Sequence, residues 1–187
     1  MLRHIQFITL TVCILLPGIS LANYSQREDV RLFVGDMVKK HGFDEQTLMY
    51  WMQGVKQQKT ALEAIARPAE SKPWKDYRPI FITSKRIKNG VRFWREHAAT
   101  LARAQKQYGV PAEIIVAIIG VETFYGKRSG TYPVLDALIT LGFDYQPRGA
   151  FFRKELEQFL LMSREENFDP RALKGSYAGA MGMPQFI

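Results

Sequence analysis

The chain has 187 residues, of which 47% are hydrophobic and 24% are charged, and its formal net charge is +8. This composition is ordinary for a globular domain with a real core, and the sequence shows no internal repeat and no low-complexity tract. The basic charge predicts attraction to polyanions such as cell-wall polymers, anionic lipid headgroups or nucleic acid, without choosing among them.

Residues 1–22 have the pattern of a secretory signal peptide. Arg3 precedes an apolar run too short for a typical membrane span, and small residues before Ala22 have the spacing of a cleavage site. An uncleaved anchor helix is the alternative. The only cysteine, Cys13, lies inside this run and lacks the small residue that precedes a lipidated cysteine. We therefore expect a periplasmic protein without a lipid anchor, disulfide or thiol chemistry.

The pattern from residue 23 onward predicts helices nearly throughout. Ser25 and Glu28 have capping-box spacing at the start of a first helix, and Asp44 is a candidate cap for the second. A short third helix is expected to stop at Pro68. Residues 68–83 contain three prolines and several aromatic side chains, which predicts an extended, ordered loop.

Residues 84–109 predict one long amphipathic helix that ends at Gly109. Its many basic side chains, with Phe93 and Trp94 among them, raise nucleic-acid binding as an alternative function. The other interpretation is a solvated basic face, with Phe93, Trp94 and Leu101 on the buried side. The signal peptide argues against a cytosolic or nuclear partner.

Pro111 is placed to open the first turn of a further apolar helix that holds Glu122, and Gly126 is placed to end it. A buried strand is the alternative over the isoleucine-rich run. Two more helices are predicted over residues 133–142 and 149–167, and a short one at Asp169. The tail beyond residue 174 is rich in glycine and predicts a loop.

Glu122 is a lone carboxylate at the end of an apolar run. On a helix, Ile115, Ile118 and Ile119 share its face, so we expect its side chain to be buried. Burial disfavours the charged form of a carboxyl group, and a carboxyl that keeps its proton near neutrality can act as a general acid. The structural alternative is a glutamate that caps a neighbouring helix or pairs with a buried arginine.

The tail over residues 174–186 is the second candidate. Its glycines allow the backbone to approach a ligand closely, and Ser176 and Gln185 are suited to orient sugar or amide groups. A plain glycine-rich turn is the alternative. No metal-ligand spacing, nucleophile elbow or phosphate-binding glycine loop occurs, so no metal and no cofactor are predicted.

The stretches "GVETFYG" and "LKGSYAGAMGMPQF", in this order, resemble the MltB-type family of lytic murein transglycosylases, which cleave bacterial peptidoglycan. The resemblance extends through "PWKDYRPIFIT", "NGVRFW" and "LDALITLGFDY", and covers the chain from about residue 73 to its last residue. It implies a mainly α, lysozyme-like (goose-type-like) helical transglycosylase core.

The resemblance also implies roles for individual residues. Asp136 and Asp144 match no catalytic position and are interpreted as structural. Met181 and Phe186 belong to the same family segment as the tail and are expected in the cleft wall. The matched site positions are the catalytic acid Glu122, the polar cleft residues Ser176 and Gln185, the cleft tyrosine Tyr77, and Arg148, which lies near the glycan or its peptide stem.

The implied reaction uses a single carboxyl group. It protonates the oxygen between N-acetylmuramic acid and N-acetylglucosamine, then removes the proton from the muramic acid's C6 hydroxyl, which closes on C1 as a 1,6-anhydro ring. Most glycosidases need a second carboxylate as nucleophile or base. Here the substrate supplies the nucleophile, so one group acting first as acid and then as base suffices.

The implied partners are peptidoglycan strands, with cell-wall synthesis or remodelling proteins and the membrane surface as further candidates and no nucleic acid. The family's domain continues beyond the position of Ile187, so we expect residues 23–187 to be a truncated catalytic domain, incomplete at its C-terminus. A non-catalytic glycan-binding module is the alternative to an enzyme.

Overall fold

The computed structural model describes residues 23–67 and 73–187, which form a mainly α fold. Two strands, β1 (Tyr132–Pro133) and β2 (Lys174–Gly175), pair antiparallel. The predictions for residues 1–22, including the signal peptide and Cys13, and for Pro68 lie outside the described residues. The helices are α1 (Glu28–His41), α2 (Glu45–Gln53), α3 (Lys59–Ile65), α4 (Trp74–Phe81), α5 (Ser84–Glu96), α6 (Ala98–Tyr108), α7 (Ala112–Thr123), α8 (Val134–Asp144) and α9 (Gly149–Glu165), with 3-10 turns at Tyr24–Gln26 and Gln146–Arg148.

The first two helices begin differently from one another. The predicted cap of α2 is confirmed, since the Asp44 carboxylate accepts a hydrogen bond from the Thr47 N–H at 2.7 Å. The predicted capping box of α1 is wrong. Ser25 lies in a 3-10 turn and donates its hydroxyl to the Asn23 side chain, so it is unavailable to the first turn of α1.

Residues 74–81 were expected to be extended, and this prediction is wrong because they form α4. Trp74, Tyr77 and Phe81 have helical spacing, and the Tyr77 ring lies 6.2 Å from Trp74 and 4.9 Å from Phe81 between centroids. Pro73 takes the N-cap position, where a missing N–H costs nothing. The stacked aromatic face therefore outweighs the proline signal that indicated a loop.

The predicted long basic helix is two helices, because the chain breaks at His97 between α5 and α6. The imidazole of His97 packs 4.4 Å from the Phe93 ring. Gly109 ends α6 in the left-handed conformation, as predicted. Trp94 is 39% exposed, which corrects its assignment to the buried side with Phe93. The helix predicted at Asp169 is also absent, and a turn occupies that place.

The main core lies between the first two helices and the pair α8 and α9. Leu135, Leu138, Ile139 and Leu141 of α8 are each at most 1% exposed. Full burial of one such side chain contributes about 1.5–3 kcal/mol. Because nine of its eleven residues are buried, α8 is the central helix of the core, and the tail packs against it.

A second, smaller cluster joins α5, α6 and α7 through Phe93, Leu101, Ala112 and Val116. The segment that follows α7 connects this cluster to the main core. Gly130 has a φ of +94°, and a Cβ there would lie 1.9 Å from the Gly175 carbonyl oxygen, so only glycine fits. The end of α7 and the tail are thereby held together where the two clusters meet.

Candidate functional site

Glu122 lies in the last turn of α7 and its side chain is exposed, which corrects the expectation that it is buried. Ile114 and Ile118 are 49% and 47% exposed and lie eight and four residues before it on the same face. The buried face of α7 is the opposite one and carries small side chains, Ala112, Val116, Gly120 and Thr123. These allow α5 to approach closely, so Ile114 and Ile118 face outward and form an apolar stripe that ends at Glu122. Ile115 and Ile119 are instead partly buried against the cluster of α5, α6 and α7.

The turn after Glu122 is strained. Phe124, Tyr125 and Gly126 have φ angles of 52°, 63° and 79°, three successive residues in the left-handed region. Phe124, rather than the predicted Gly126, therefore ends the helix. Such conformations cost about 1–3 kcal/mol for a non-glycine residue and concentrate at functional sites. The position of the Glu122 carboxyl is therefore set by a turn that its neighbours must hold in place.

Tyr125 is one of these neighbours. Its hydroxyl donates to the Arg86 carbonyl at 3.0 Å, and its ring lies 5.6 Å from Phe93. Burial raises the pKa of the Tyr125 phenol. The hydroxyl fits against α5 and α7 only because Gly90 and Gly120 lack a Cβ, which would otherwise meet it at 2.5 and 2.6 Å.

Thr123 connects the helix end to the tail. It is completely buried, and its hydroxyl donates to the Met183 carbonyl at 2.8 Å while it accepts from the Gly126 N–H at 2.9 Å. One side chain thus bonds both the strained turn and a segment sixty residues later in the chain. Because Thr123 follows Glu122 directly, this contact places the tail beside the candidate acid.

The tail is a series of tight turns, and its two predicted cleft side chains form hydrogen bonds with the backbone. The Ser176 hydroxyl accepts from the N–H groups of Ala178 and Ala180, and it is half-buried. The Gln185 amide donates to the carbonyls of Ser129 and Gly182 at 3.3 and 3.0 Å. Gln185 also has a φ of 56°. The two predicted cleft residues therefore shape the tail, and what they can still offer a ligand is the hydroxyl hydrogen of Ser176 and the amide oxygen of Gln185.

Tyr77 reaches the same region through a series of aromatic and cationic contacts. Its ring packs on Phe81, whose ring lies 5.0 Å from the Arg86 guanidinium. That guanidinium lies in turn 5.4 Å from the Phe124 ring. The structure thus joins α4 to the turn after Glu122, although these segments are more than forty residues apart in the sequence.

Three cations surround the Phe124 ring, and we call Arg86, Lys127 and Arg128 the Phe124 cation cluster. The charged groups of Lys127 and Arg128 lie 6.0 and 5.5 Å from the ring centroid. Within residues 23–67 and 73–187, none of the three forms an ion pair with a carboxylate. An exposed cation–π contact contributes about 0.5–1 kcal/mol, which is of the same order as the repulsion between nearby like charges.

Arg148 does not join this group. Its guanidinium stacks 4.3 Å from the Phe151 ring and 5.5 Å from the Phe152 ring, at the start of α9. Met181 and Phe186, expected in the cleft wall, form a backbone bridge with each other. They line a cavity of about 300 Å³ against α9, whose other lining residues include Phe159 but not Glu122.

Asp136 and Asp144 have structural contacts. The Asp136 carboxylate accepts from the Lys56 N–H at 3.3 Å, and burial raises its pKa. Asp144 pairs with Arg27 and accepts from the Gln57 amide at 2.7 Å. Both carboxylates are thus used to fasten the N-terminal segments to α8.

The described part of the chain lacks two kinds of feature. No helix there is long and apolar enough to cross a membrane. Residues 23–67 and 73–187 also contain no group of three or more metal-ligating side chains suited to hold an ion.

Three contributors to this site were missed from the sequence. These are Thr123, which lies within the quoted motif but has no predicted role, and Arg86 and Phe124, which lie on different elements. A signal for Thr123 exists, since a threonine in the last turn of a helix can bond back to the carbonyl four residues earlier, here that of Ile119 at 3.2 Å. The pairing of Arg86 with Phe124 has no signal in the sequence.

Comparison with known proteins places this site in a family context. The family model described as "Transglycosylase SLT domain" matches residues 25–187. The membrane-bound lytic murein transglycosylase B of Escherichia coli is 44% identical over 175 residues, which are 88% of this chain and 48% of that protein. The chain thus spans about half the length of this curated relative.

Solved structures give the same result. The soluble lytic transglycosylase SltB1 of Pseudomonas aeruginosa is 59% identical with a TM-score of 0.81, over 84% of this chain and 54% of that one. SltB3 of Pseudomonas aeruginosa, in complex with NAG-NAM-pentapeptide, is 29% identical with a TM-score of 0.71, over 86% of this chain and 43% of that one. The lysozyme-like helical fold expected from the sequence is therefore confirmed.

Proposed function

Because this chain belongs to the transglycosylase SLT domain family, we propose that it is a lytic murein transglycosylase. Its substrate would be the β-1,4 bond between N-acetylmuramic acid and N-acetylglucosamine in peptidoglycan. The reaction would be non-hydrolytic and would leave a 1,6-anhydromuramic acid end. The observation that carries the proposal is the position of Glu122, an exposed carboxyl at a strained helix end that Thr123 binds to the tail.

In the proposed reaction, Glu122 first donates its proton to the glycosidic oxygen as the bond to C1 breaks. The resulting carboxylate then removes the proton from the C6 hydroxyl of the same muramic acid, and that oxygen closes on C1. The proton that Glu122 gives to the leaving sugar is thus replaced by one from the C6 hydroxyl, so the carboxyl ends each cycle in its starting form.

The exposure of Glu122 requires the substrate to complete the site. Ile118 and Val121, next to Glu122 on the helix surface, are 47% and 44% exposed and offer an apolar face to a sugar ring. A carboxyl group that a bound ligand covers loses hydration, which favours its protonated form. We infer that sugar binding on this apolar stripe supplies the desolvation that the free chain lacks.

A single carboxyl is consistent with the rest of the chain. Asp136 and Asp144, the other acids suggested by sequence proximity, are occupied by contacts with the N-terminal segments. A hydrolase with two catalytic carboxyls places them about 5–9.5 Å apart across the bond. The proposed reaction needs no such partner, because the C6 hydroxyl takes the place of water.

The test is digestion of purified peptidoglycan, with mass analysis of the released sugars. Anhydro-products from the parent chain, lower by about 10²–10⁴-fold in rate in Glu122→Gln, would support the proposal. The matched control is Glu113→Gln, an exposed glutamate in the first turn of the same helix, which should keep the parent rate. Glycan binding without products would instead favour a non-catalytic binding module, and salt-sensitive DNA binding that survives in Glu122→Gln would favour a nucleic-acid partner.

We also propose that the chain acts in the periplasm on cell-wall strands, with Tyr77, Ser176, Gln185 and Arg148 contacting the glycan. The basic net charge of +8 and the signal-like pattern of residues 1–22 support this location. Fractionation of cells that express the full chain would test it. Recovery with the cytosolic fraction would reject the periplasmic assignment.

A further inference from the structure

The Phe124 cation cluster is not explained by its contribution to stability. It gathers three like charges, each within 6.0 Å of the centroid of one aromatic ring. Part-exposed cation–π contacts are weak, and the mutual repulsion of the cations opposes them. Because no carboxylate in the described ranges forms an ion pair with any of these three cations, the cluster is suited to bind an anion from a ligand.

Arg86 is the fixed member of the cluster. Its guanidinium lies between the rings of Phe81 and Phe124, at 5.0 and 5.4 Å from their centroids, and Nη1 donates to the Ile80 carbonyl at 3.4 Å. Its Nε is buried and has no hydrogen-bond partner in the described part of the chain. Because stacking on aromatic rings holds a guanidinium in one position, it loses little side-chain entropy when its unused N–H groups bind a ligand.

The other two cations belong to the turn that follows Glu122. Lys127 and Arg128 are exposed, and the Arg128 backbone N–H donates to the Thr123 carbonyl at 2.8 Å. The turn is thus held by its own backbone while its basic side chains remain available. Lys127 and Arg128 follow Glu122 by five and six residues, and the Arg86 guanidinium lies 5.4 Å from the ring of Phe124, two residues after Glu122.

The proposed substrate carries a suitable anion. Muramic acid bears a lactyl carboxyl group, which is either free or joined to a peptide that ends in its own carboxylate. Guanidinium and ammonium groups bind carboxylates through charge-assisted hydrogen bonds. We propose that Arg86, Lys127 and Arg128 bind a carboxylate of the muramic acid unit, lactyl or peptide, beside Glu122. This inference rests on the proposed function and deepens it, since it separates muramic-acid glycans from uncharged chitin-like strands.

The test measures binding of three soluble ligands to the Glu122→Gln variant, in which turnover is removed. They are an oligomer of N-acetylglucosamine without a carboxylate, NAG-NAM with a free lactyl carboxylate, and NAG-NAM-pentapeptide, whose carboxylates lie on the peptide. We expect one or both muramic ligands to bind about five- to tenfold more tightly than the uncharged oligomer, and 0.5 M salt to weaken this preference. The tighter of the two identifies the carboxylate.

Lys127→Gln with Arg128→Gln should reduce the preference to about one, while binding of the uncharged oligomer stays within about twofold. The matched control is Arg103→Gln with Lys106→Gln, which removes the same charge from exposed positions on α6 and should keep the preference. Equal affinity of the Glu122→Gln chain for the three ligands overturns the inference. The inference is also overturned if both double variants lose the preference for muramic ligands to the same extent. If the preference is present but the unsubstituted chain yields no anhydro-products, the proposed reaction fails and the carboxylate site stands.

Discussion

Replacement of Thr123 by valine should disconnect the tail from the candidate acid. Valine has nearly the same shape as threonine, so it fills the completely buried position of Thr123 without a cavity. It lacks the hydroxyl, however, and leaves the Met183 carbonyl and the Gly126 N–H without the partners they have at 2.8 and 2.9 Å. The strained turn after Glu122 loses one of its holding contacts in the same step.

The expected cost follows from these two hydrogen bonds. Each contributes about 0.5–1.5 kcal/mol net, so Thr123→Val should lower the free energy of unfolding by about 2 kcal/mol. Thr123→Ser is the matched control, because it keeps the hydroxyl and removes one buried methyl group, at about 1 kcal/mol. The two variants thus separate the hydrogen bonds from the packing.

Urea unfolding measures the two free energies, and amide hydrogen exchange gives the local effect. The Gly126 amide should exchange faster in Thr123→Val than in Thr123→Ser by more than their difference in global stability, because only valine removes its acceptor. Peptidoglycan cleavage should fall in the valine variant although Glu122 is intact. Equal exchange of Gly126 in the two variants would refute the role given to this hydroxyl.

Three further predictions concern packing and charge elsewhere. Gly120→Ala places a Cβ 2.6 Å from the Tyr125 hydroxyl, so thermal unfolding should show a net loss of about 1–2 kcal/mol after the gain in helix propensity. Burial raises the pKa of Asp136, so the native state holds this proton more tightly and the contribution of this carboxyl to stability falls as pH rises above about 4; relative to the parent chain, Asp136→Asn should therefore gain stability in urea midpoints measured from pH 4 to pH 7. Asp144→Ala should cost about 2 kcal/mol in urea unfolding, and Asp29→Ala, which removes a 51% exposed partner of the same arginine rather than a 15% exposed one, less than about 1 kcal/mol.

The helices could be predicted where one physical signal dominated. The Asp44 cap, the Gly109 stop, the apolar helix α8 and the amphipathic helix α9 followed from local chemistry alone. At α4 two signals conflict: the prolines predict a loop, whereas the spacing of three aromatic residues is that of a helix, and the helix is what forms. The break at His97 had no signal, since no glycine or proline marks it.

The candidate site was found from the sequence, but its environment was not. The run from Ile114 to Val121 is apolar on every side, so periodicity cannot show which face of α7 is buried. Small residues at positions 112, 116 and 120 decide it, because they admit the neighbouring helix. The left-handed Phe124 was equally hidden, since Gly126, two residues later, is the ordinary choice for that conformation.

The most direct test of the proposed reaction is digestion of peptidoglycan in water enriched in heavy oxygen. A transglycosylase closes the ring with the substrate's own C6 oxygen, so its product should lack the label and be lighter by one water than a hydrolytic product. The same product should be almost absent from Glu122→Gln. Labelled, reducing-end sugars from the parent chain, or unlabelled anhydro-sugars formed at the parent rate by Glu122→Gln, would contradict the account.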